Sequence, residues 1–443
     1  MFRDWRESLP SSRSTTSPGP LAVVTATVVT LTISAPLPPP LPGWLTLGAL
    51  AAVPLAPFCL RLLRQTPQYR PLVALISSAI VVGLLLPFVS VTYDNGRSFD
   101  AAVAVIEVGQ IIGIVLSLLS ALWSLRVLGL TRFLVLWSAG LLVSAPLLFS
   151  RFAENPWKFG WALPVTLLLL IATSRSRAGV TLALALLMII SASFDHRSWA
   201  LILLAATSAA FLTRRDADRG KYRPSTIVGA LAVFFVSGQL LLQAILSGRL
   251  GEAAAMRTAT QLSYDSNPLL AGRPEWGAAL QLFQNNPLGY GLGVRPNLDD
   301  WLMAVRSMPV AEALQDNSGV ATYFRAGIIE FHSNFWNFWS HYGFAGIALI
   351  ACMGWIFFSA IAREASGARR GVPPIWLTVL MTAMLWDLLF SPTVPSTLGV
   401  ALAIGISRST RGSEAGSDDD VSASTPQQGH RRLRGVEVAP ARR

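Results

Sequence analysis

Charge is what this sequence has least of. Only 13% of its 443 residues are Asp, Glu, Lys or Arg, whereas 52% are hydrophobic and the mean hydropathy is +0.51. A soluble globular domain carries about 25% charged residues, so an ordinary water-soluble fold is excluded. Cysteine is scarce as well: Cys59 and Cys352 both stand in apolar stretches, which gives neither a disulfide framework nor a metal-binding spacing. Lysine is reduced to Lys158 and Lys221 among 35 basic residues. The net charge of +11 would suit a nucleic-acid partner, but a soluble nucleic-acid binder would not contain repeated apolar runs of about 17 to 25 residues. No internal repeat of the kind that marks many transporters is visible.

What is there predicts an all-α fold, a polytopic transmembrane helical bundle of about twelve spans. A helix rising 1.5 Å per residue needs roughly 20 apolar residues to cross about 30 Å of hydrocarbon. The apolar segments fall near 20–36, 44–60, 71–91, 101–123, 134–150, 161–173, 178–193, 198–213, 224–246, 334–361, 374–390 and 396–407. Basic residues then set the direction. Connections on the side of the N-terminus hold 18 Lys and Arg, and the tail after residue 407 adds seven, against only Arg97, Arg151, Lys158 and Arg197 in the short connections opposite. By the positive-inside rule both termini are expected in the cytoplasm. Trp44, Trp157, Trp161, Trp199 and Trp386 fall near the expected outer ends, where belt residues sit.

The expected organisation is a cytoplasmic lead over 1–19 without a convincing signal-cleavage site, a membrane domain over 20–246, an extracytoplasmic loop over 247–333, a second membrane portion over 334–407 and a disordered cytoplasmic tail over 408–443. The loop is far longer than any other connection, and structureless connections of that size are usually functional. It balances six arginines with eight acidic residues, so it is not a generic polybasic surface. Residues 276–283, WGAALQLF, read as an amphipathic helical piece that follows Pro274. Then QNNPLGYGLGV alternates Gly289, Gly291 and Gly293, which lets backbone approach another group closely. This is no dinucleotide fingerprint, since no strand–helix–strand unit surrounds it.

These residues carry a resemblance. The order GRPEWGAALQLFQNNPLGYGLG, a polar stretch, then HSNFWNFWSHYGFAGIALI resembles the bacterial O-antigen ligase and polysaccharide polymerase family, polytopic glycosyltransferases with a long extracytoplasmic loop. Gly272-Arg273, Trp276, Pro287, Gly289-Tyr290-Gly291, His332 and Gly343-Phe344-Ala345-Gly346 match its pattern. The family also tends to place a Ser-Arg at the outer end of an earlier helix. Asp195-His196-Arg197 stands there, with His196 in place of the serine, and His332-Ser333-Asn334 departs from an adjacent His-Asn pair.

The resemblance implies a multi-pass protein of the bacterial cytoplasmic (inner) membrane. Its chemistry would be the transfer or polymerisation of a glycan from a polyprenyl-diphosphate carrier to a hydroxyl of a glycan, lipid or protein acceptor, with no metal or other cofactor and no nucleic acid. Arginine suits a diphosphate leaving group because its planar guanidinium stays charged and grips phosphate oxygens in two-pronged fashion. Arg197 and Arg273 are the expected diphosphate clamp. His332 is the expected general base, since an imidazole with pKa near 6.5 is matched to taking the acceptor's proton at neutral pH. Arg273 counts with it as catalytic. Arg325 and Glu330 precede His332 and are expected to tune it or to bind sugar. Tyr290 and Trp276 either stack on sugar or pack the loop against the helices. His341, Glu107 and Asp387 are further ionisable residues in or near the spans. Ligase and polymerase are both open, and a transporter or flippase of a lipid-linked oligosaccharide is the alternative from another class. A transporter, however, would spread polar groups along its helices at midplane.

Overall fold

A computed structural model describes residues 18–37, 45–64, 69–93, 96–148, 152–217, 274–308, 329–367, 375–392 and 394–410, with scattered positions between 236 and 259. Among these the chain is almost wholly helical. The helices are α1 (Pro20–Thr32), α2 (Leu47–Leu50), α3 (Ala52–Arg64), α4 (Tyr69–Tyr93), α5 (Ala101–Leu128), α6 (Leu130–Leu148), α7 (Ala162–Thr173), α8 (Arg177–Ser193), α9 (Arg197–Ala217), α10 (Pro274–Asn285), α11 (Leu298–Arg306), α12 (Asn334–Gly367), α13 (Ile375–Phe390) and α14 (Pro395–Thr410). A π-helical turn, Trp157–Trp161, leads into α7. The described sheet is one antiparallel pair, β1 (Ser98–Phe99) with β2 (Val294–Arg295), in which Ser98 faces Arg295 and Phe99 faces Val294.

Among the described residues four helices are long and apolar enough to cross a membrane: Arg70–Thr92, Ala101–Leu128, Leu130–Leu148 and Asn334–Glu364. Shorter apolar helices accompany them. This is the build of a membrane-embedded all-α protein, but helix length carries four crossings and not the twelve expected from hydropathy. The reason shows at α1, which stops at Thr32, after which Pro36 turns to bridge Thr46; apolar composition continues where helix does not. The expected segment 224–246 lies largely outside the described residues.

The surface agrees with this reading. Leu84, Leu85 and Phe88 on α4, Leu182 and Ile189 on α8, and Trp355 and Phe358 on α12 are all exposed. Apolar faces this extensive are not left to water in a monomeric soluble protein. The interior is built around α5, which packs on α14, α3, α1, α2 and α6. Small residues allow that: a Cβ on Gly399 of α14 would lie 2.5 Å from the Ile114 carbonyl oxygen of α5. Ser117, Ser120 and Ser124 line α5 and are fully buried, and Ser120 Oγ donates to the Gly48 carbonyl at 2.8 Å. Close approach through Gly and Ser is the usual device where lipid removes the hydrophobic drive between helices.

Candidate functional site

The long loop folds back on the helices through its glycine turn. Gly289, Gly291 and Gly293 have φ of +87°, +96° and +72°, the left-handed region that glycine enters without steric cost. The amides of Tyr290 and Gly291 donate to the Ser340 carbonyl at 2.8 and 3.0 Å, and Leu292 N–H donates to the Gly83 carbonyl at 2.9 Å. Ser90 Oγ donates to the Tyr290 carbonyl at 2.6 Å, so α4 and α12 both grip the turn. Gly293 N–H donates to Glu107 Oε2 at 2.7 Å, and its carbonyl accepts from Asp100 N–H at 2.7 Å.

Gly343, with φ +58° and ψ −144°, kinks α12 at the point where Leu288 and Gly289 pass it. His341 Nε2 stands 3.2 Å from Glu107 Oε1 and 3.2 Å from the Ile329 carbonyl, and both side chains are buried. The two suspects His341 and Glu107 are thus brought together. Their geometry ties the loop to the helices.

Alongside this clamp the loop has a small core of its own. Ala278, Ala279 and Leu282 of α10, Tyr290, Val294, Ala304 of α11, Ile329, Phe331, Trp336 and Trp339 bury one another. Trp276 joins it edge-on to Trp336, with centroids 5.6 Å apart, and stacks on Phe390 of α13 at 5.3 Å. The indole N–H groups of Trp276, Trp336 and Trp386 are enclosed and have no hydrogen-bond partner among the described residues, three donors around one aromatic patch.

His332 projects from this core. It is exposed, but the backbone on either side is fixed. Phe331 N–H donates to Asn337 Oδ1 at 2.6 Å, Ser333 Oγ to the Leu389 carbonyl at 2.6 Å and Asn334 Nδ2 to the Asp387 carbonyl at 3.1 Å. Ser333 also accepts from Trp336 N–H at 3.4 Å at the start of α12, which gives the extra residue between His332 and Asn334 a structural role. Glu330 is exposed two residues before His332.

Tyr290 is placed otherwise. It is 1% exposed, its hydroxyl donates to Asp300 Oδ1 at 3.1 Å and the Arg97 guanidinium lies 4.7 Å from its ring centroid. Of its two expected roles, the packing one is the one its burial permits. Trp276 is half-buried, with one face on Phe390. Arg273 and Arg325 lie outside the described residues.

Arg197 starts α9, where its Nε donates to Asp195 Oδ1 at 3.0 Å and its Nη1 to Thr258 Oγ1 at 2.5 Å. Helix α9 packs on α12 and α13, the helices that flank the His332 segment. Next to Arg197, burial pushes His196 down to about 3 from 6.5, with the Lys158 charge adding and Asp195 opposing. An unfolded chain therefore takes up a proton on this ring as pH falls through 6.5, while the folded one does not until about 3. Stability should drop over that window, by about 2 kcal/mol at pH 5 on a slope of about 1.4 kcal/mol per unit. Melting points measured from pH 7 to 5 should fall for the wild type and flatten for His196→Gln; equal slopes would contradict this.

Two groups escaped the sequence reading. Arg97 and Asp300 form a two-pronged pair, Nε to Oδ2 at 2.9 Å and Nη2 to Oδ1 at 2.7 Å, with side-chain exposures of 8% and 0%. Arg295 pairs with Asp100 at 2.5 Å, and that hydrogen bond, with the Ala102 and Val103 amides, holds the Asp100 carboxyl below its usual range. One of these was signalled: Asn297 and Asp300 have the spacing of a capping box, and both halves of the box are formed at α11.

No known protein-family model matches the chain, and no curated protein matches it. The functional reading therefore rests on the motif residues and on the geometry just described.

Proposed function

We propose that the protein transfers a glycan from a polyprenyl-diphosphate carrier to an acceptor hydroxyl, as a ligase or polymerase of cell-surface polysaccharide, on the extracytoplasmic side of a bacterial cytoplasmic membrane. The observation that carries this reading is convergence. Trp276 of GRPEW, Tyr290 of PLGYG and Phe331 and Trp336 around His332 are far apart in sequence yet meet in or against one small core. That core supports an exposed histidine whose flanking backbone is fixed.

In this reading the acceptor hydroxyl attacks the anomeric carbon while His332 takes its proton. The bond from that carbon to the phosphate oxygen breaks, and the diphosphate leaves with the bonding electrons. Arg273, one residue before α10, and Arg197 hold the departing charge, which is where fixed donors lower a barrier most. Glu330 and Arg325 flank the acceptor. The four long helices cross the membrane, and both termini face the cytoplasm.

The test is reconstitution of the purified full-length chain in liposomes with a polyprenyl-diphosphate oligosaccharide and an oligosaccharide acceptor. Glycan product and free polyprenyl diphosphate should form together; release of neither would overturn the reading. Sidedness has its own check. Leu298, 68% exposed at the start of α11, should label as Leu298→Cys with an impermeant thiol reagent in intact cells. Labelling only after permeabilisation would place the loop on the wrong side.

A further inference from the structure

Beside the small core, an open cleft of about 410 Å3 lies between Arg97 and the helices α10 and α11, within the usual size of small-molecule sites. Its lining divides into a fixed floor and a set of readers. Asp300 forms the floor. Its carboxylate accepts from Arg97 Nε, Arg97 Nη2, Tyr290 OH and Asn297 N–H, so its acceptor capacity is filled within the protein. Buried ion pairs add little stability over apolar packing of the same shape. What this one supplies is rigidity, since it fixes the 96–99 segment, the Tyr290 ring and the first turn of α11 in one arrangement.

The readers are Asn285, at the end of α10, and Asp299 and Arg306, at the two ends of α11. All three are exposed, and their side chains make no hydrogen bond or ion pair among the described residues. They offer a carboxylate that accepts, a guanidinium that donates and an amide that does both. Met303 and Leu302 add an apolar strip to the same wall. The Arg97 and Asp300 charges cancel, as do those of Asp299 and Arg306, so the cleft is neutral overall and does not match a diphosphate. Balanced donors and acceptors beside an apolar strip match a polyol with a C–H face.

We infer that this cleft binds a sugar unit of a glycan chain, with Asp299 accepting from its hydroxyls, Arg306 and Asn285 donating to its oxygens, and Met303 covering a ring face. The inference rests on the proposed transfer for the identity of the glycan, which belongs to either the acceptor or the lipid-linked donor.

Two probes separate those sources. Both are prepared from oligosaccharides released by mild acid from the surface polysaccharide of the cells that express the chain. One is fluorescently labelled and free; the other is carried on polyprenyl diphosphate in nanodiscs. Binding to the full-length wild type is compared with an Asp299→Ala/Arg306→Ala double variant, with Asp299→Asn/Arg306→Gln as the milder pair should the first fold poorly. The double variant should bind about tenfold more weakly, the loss of a charged hydrogen bond. Loss with the free probe assigns the cleft to the acceptor, and loss with the carried probe alone assigns it to the donor. Equal affinity of double variant and wild type for both probes overturns the cleft, as does failure of the wild type to bind either. The liposome assay reads the other claim separately: cleft-dependent binding without turnover would sink the transfer reading and leave the cleft standing.

Discussion

Replacing Gly291 with alanine is expected to unseat the loop from the helices and abolish the proposed transfer along with it. Gly291 has φ +96°, and for an L-residue the left-handed region costs roughly 1 to 2 kcal/mol. The added Cβ would also stand 2.5 Å from Pro87 Cδ, 2.7 Å from Pro87 N and 2.7 Å from Leu86 Cβ. A proline ring in a helix cannot step aside, so the turn must move, at a further cost of about 1 to 3 kcal/mol for overpacking. Movement would break the bonds from Gly291 N–H to Ser340 and from Leu292 N–H to Gly83. Gly129→Ala isolates the conformational part, because Gly129 has φ +73° and nothing within 4 Å of its Cβ position. Melting in detergent should be lowered clearly more by Gly291→Ala than by Gly129→Ala. Equal lowering would mean that the turn is not clamped against α4.

Glu107→Ala is expected to cost nearly as much, by a different route. The carboxylate accepts from Gly293 N–H at 2.7 Å and faces His341 Nε2 at 3.2 Å in a buried setting. Alanine strands the Gly293 amide without its acceptor and leaves His341 Nε2 with the Ile329 carbonyl alone; a buried polar group left unsatisfied costs about 1 to 3 kcal/mol. Glu107→Gln retains an oxygen for the Gly293 amide and should lose only the share due to His341. The Tyr342 hydroxyl donates to the Glu107 carbonyl at 2.7 Å, so that bond survives either change. Hydrogen exchange at the amides of Gly291, Leu292 and Gly293 gives the readout: fast in Glu107→Ala, close to wild type in Glu107→Gln. Protection unchanged in Glu107→Ala would remove this residue from the clamp.

How much of this was legible in the sequence varies with the range of the interaction. Helix α10 was legible from the amphipathic run 276–283, because helical periodicity is local. The alternation of Gly289, Gly291 and Gly293 announced a close backbone approach, but Gly83, Pro87 and Ser340 as the surfaces approached were not legible. Glu107 and His341 each stood out as ionisable groups in apolar stretches. Their pairing was invisible across more than 230 residues, and that of Arg97 with Asp300 across 203. Crossing number fared worst: hydropathy marks where apolar side chains are, whereas a turn such as that at Pro36 decides how far a helix runs. Tyr290 shows the same limit, since an aromatic in a glycine-rich loop reads equally as a sugar platform or as core until its hydroxyl is seen bonded to Asp300.

The central claim, that His332 supplies the proton chemistry from a fixed perch on this core, is tested most directly by one comparison. Initial rates of glycan transfer are measured for wild type and His332→Ala in identical liposomes at identical protein density. His332 is exposed, and its neighbours Phe331 and Ser333 hold the backbone through their own hydrogen bonds, so the variant should melt like the wild type. Loss of a general base typically lowers a rate by about 10² to 10⁴, and a fall of that size with unchanged melting is the expected result. Transfer at the wild-type rate by a properly folded His332→Ala would contradict the account.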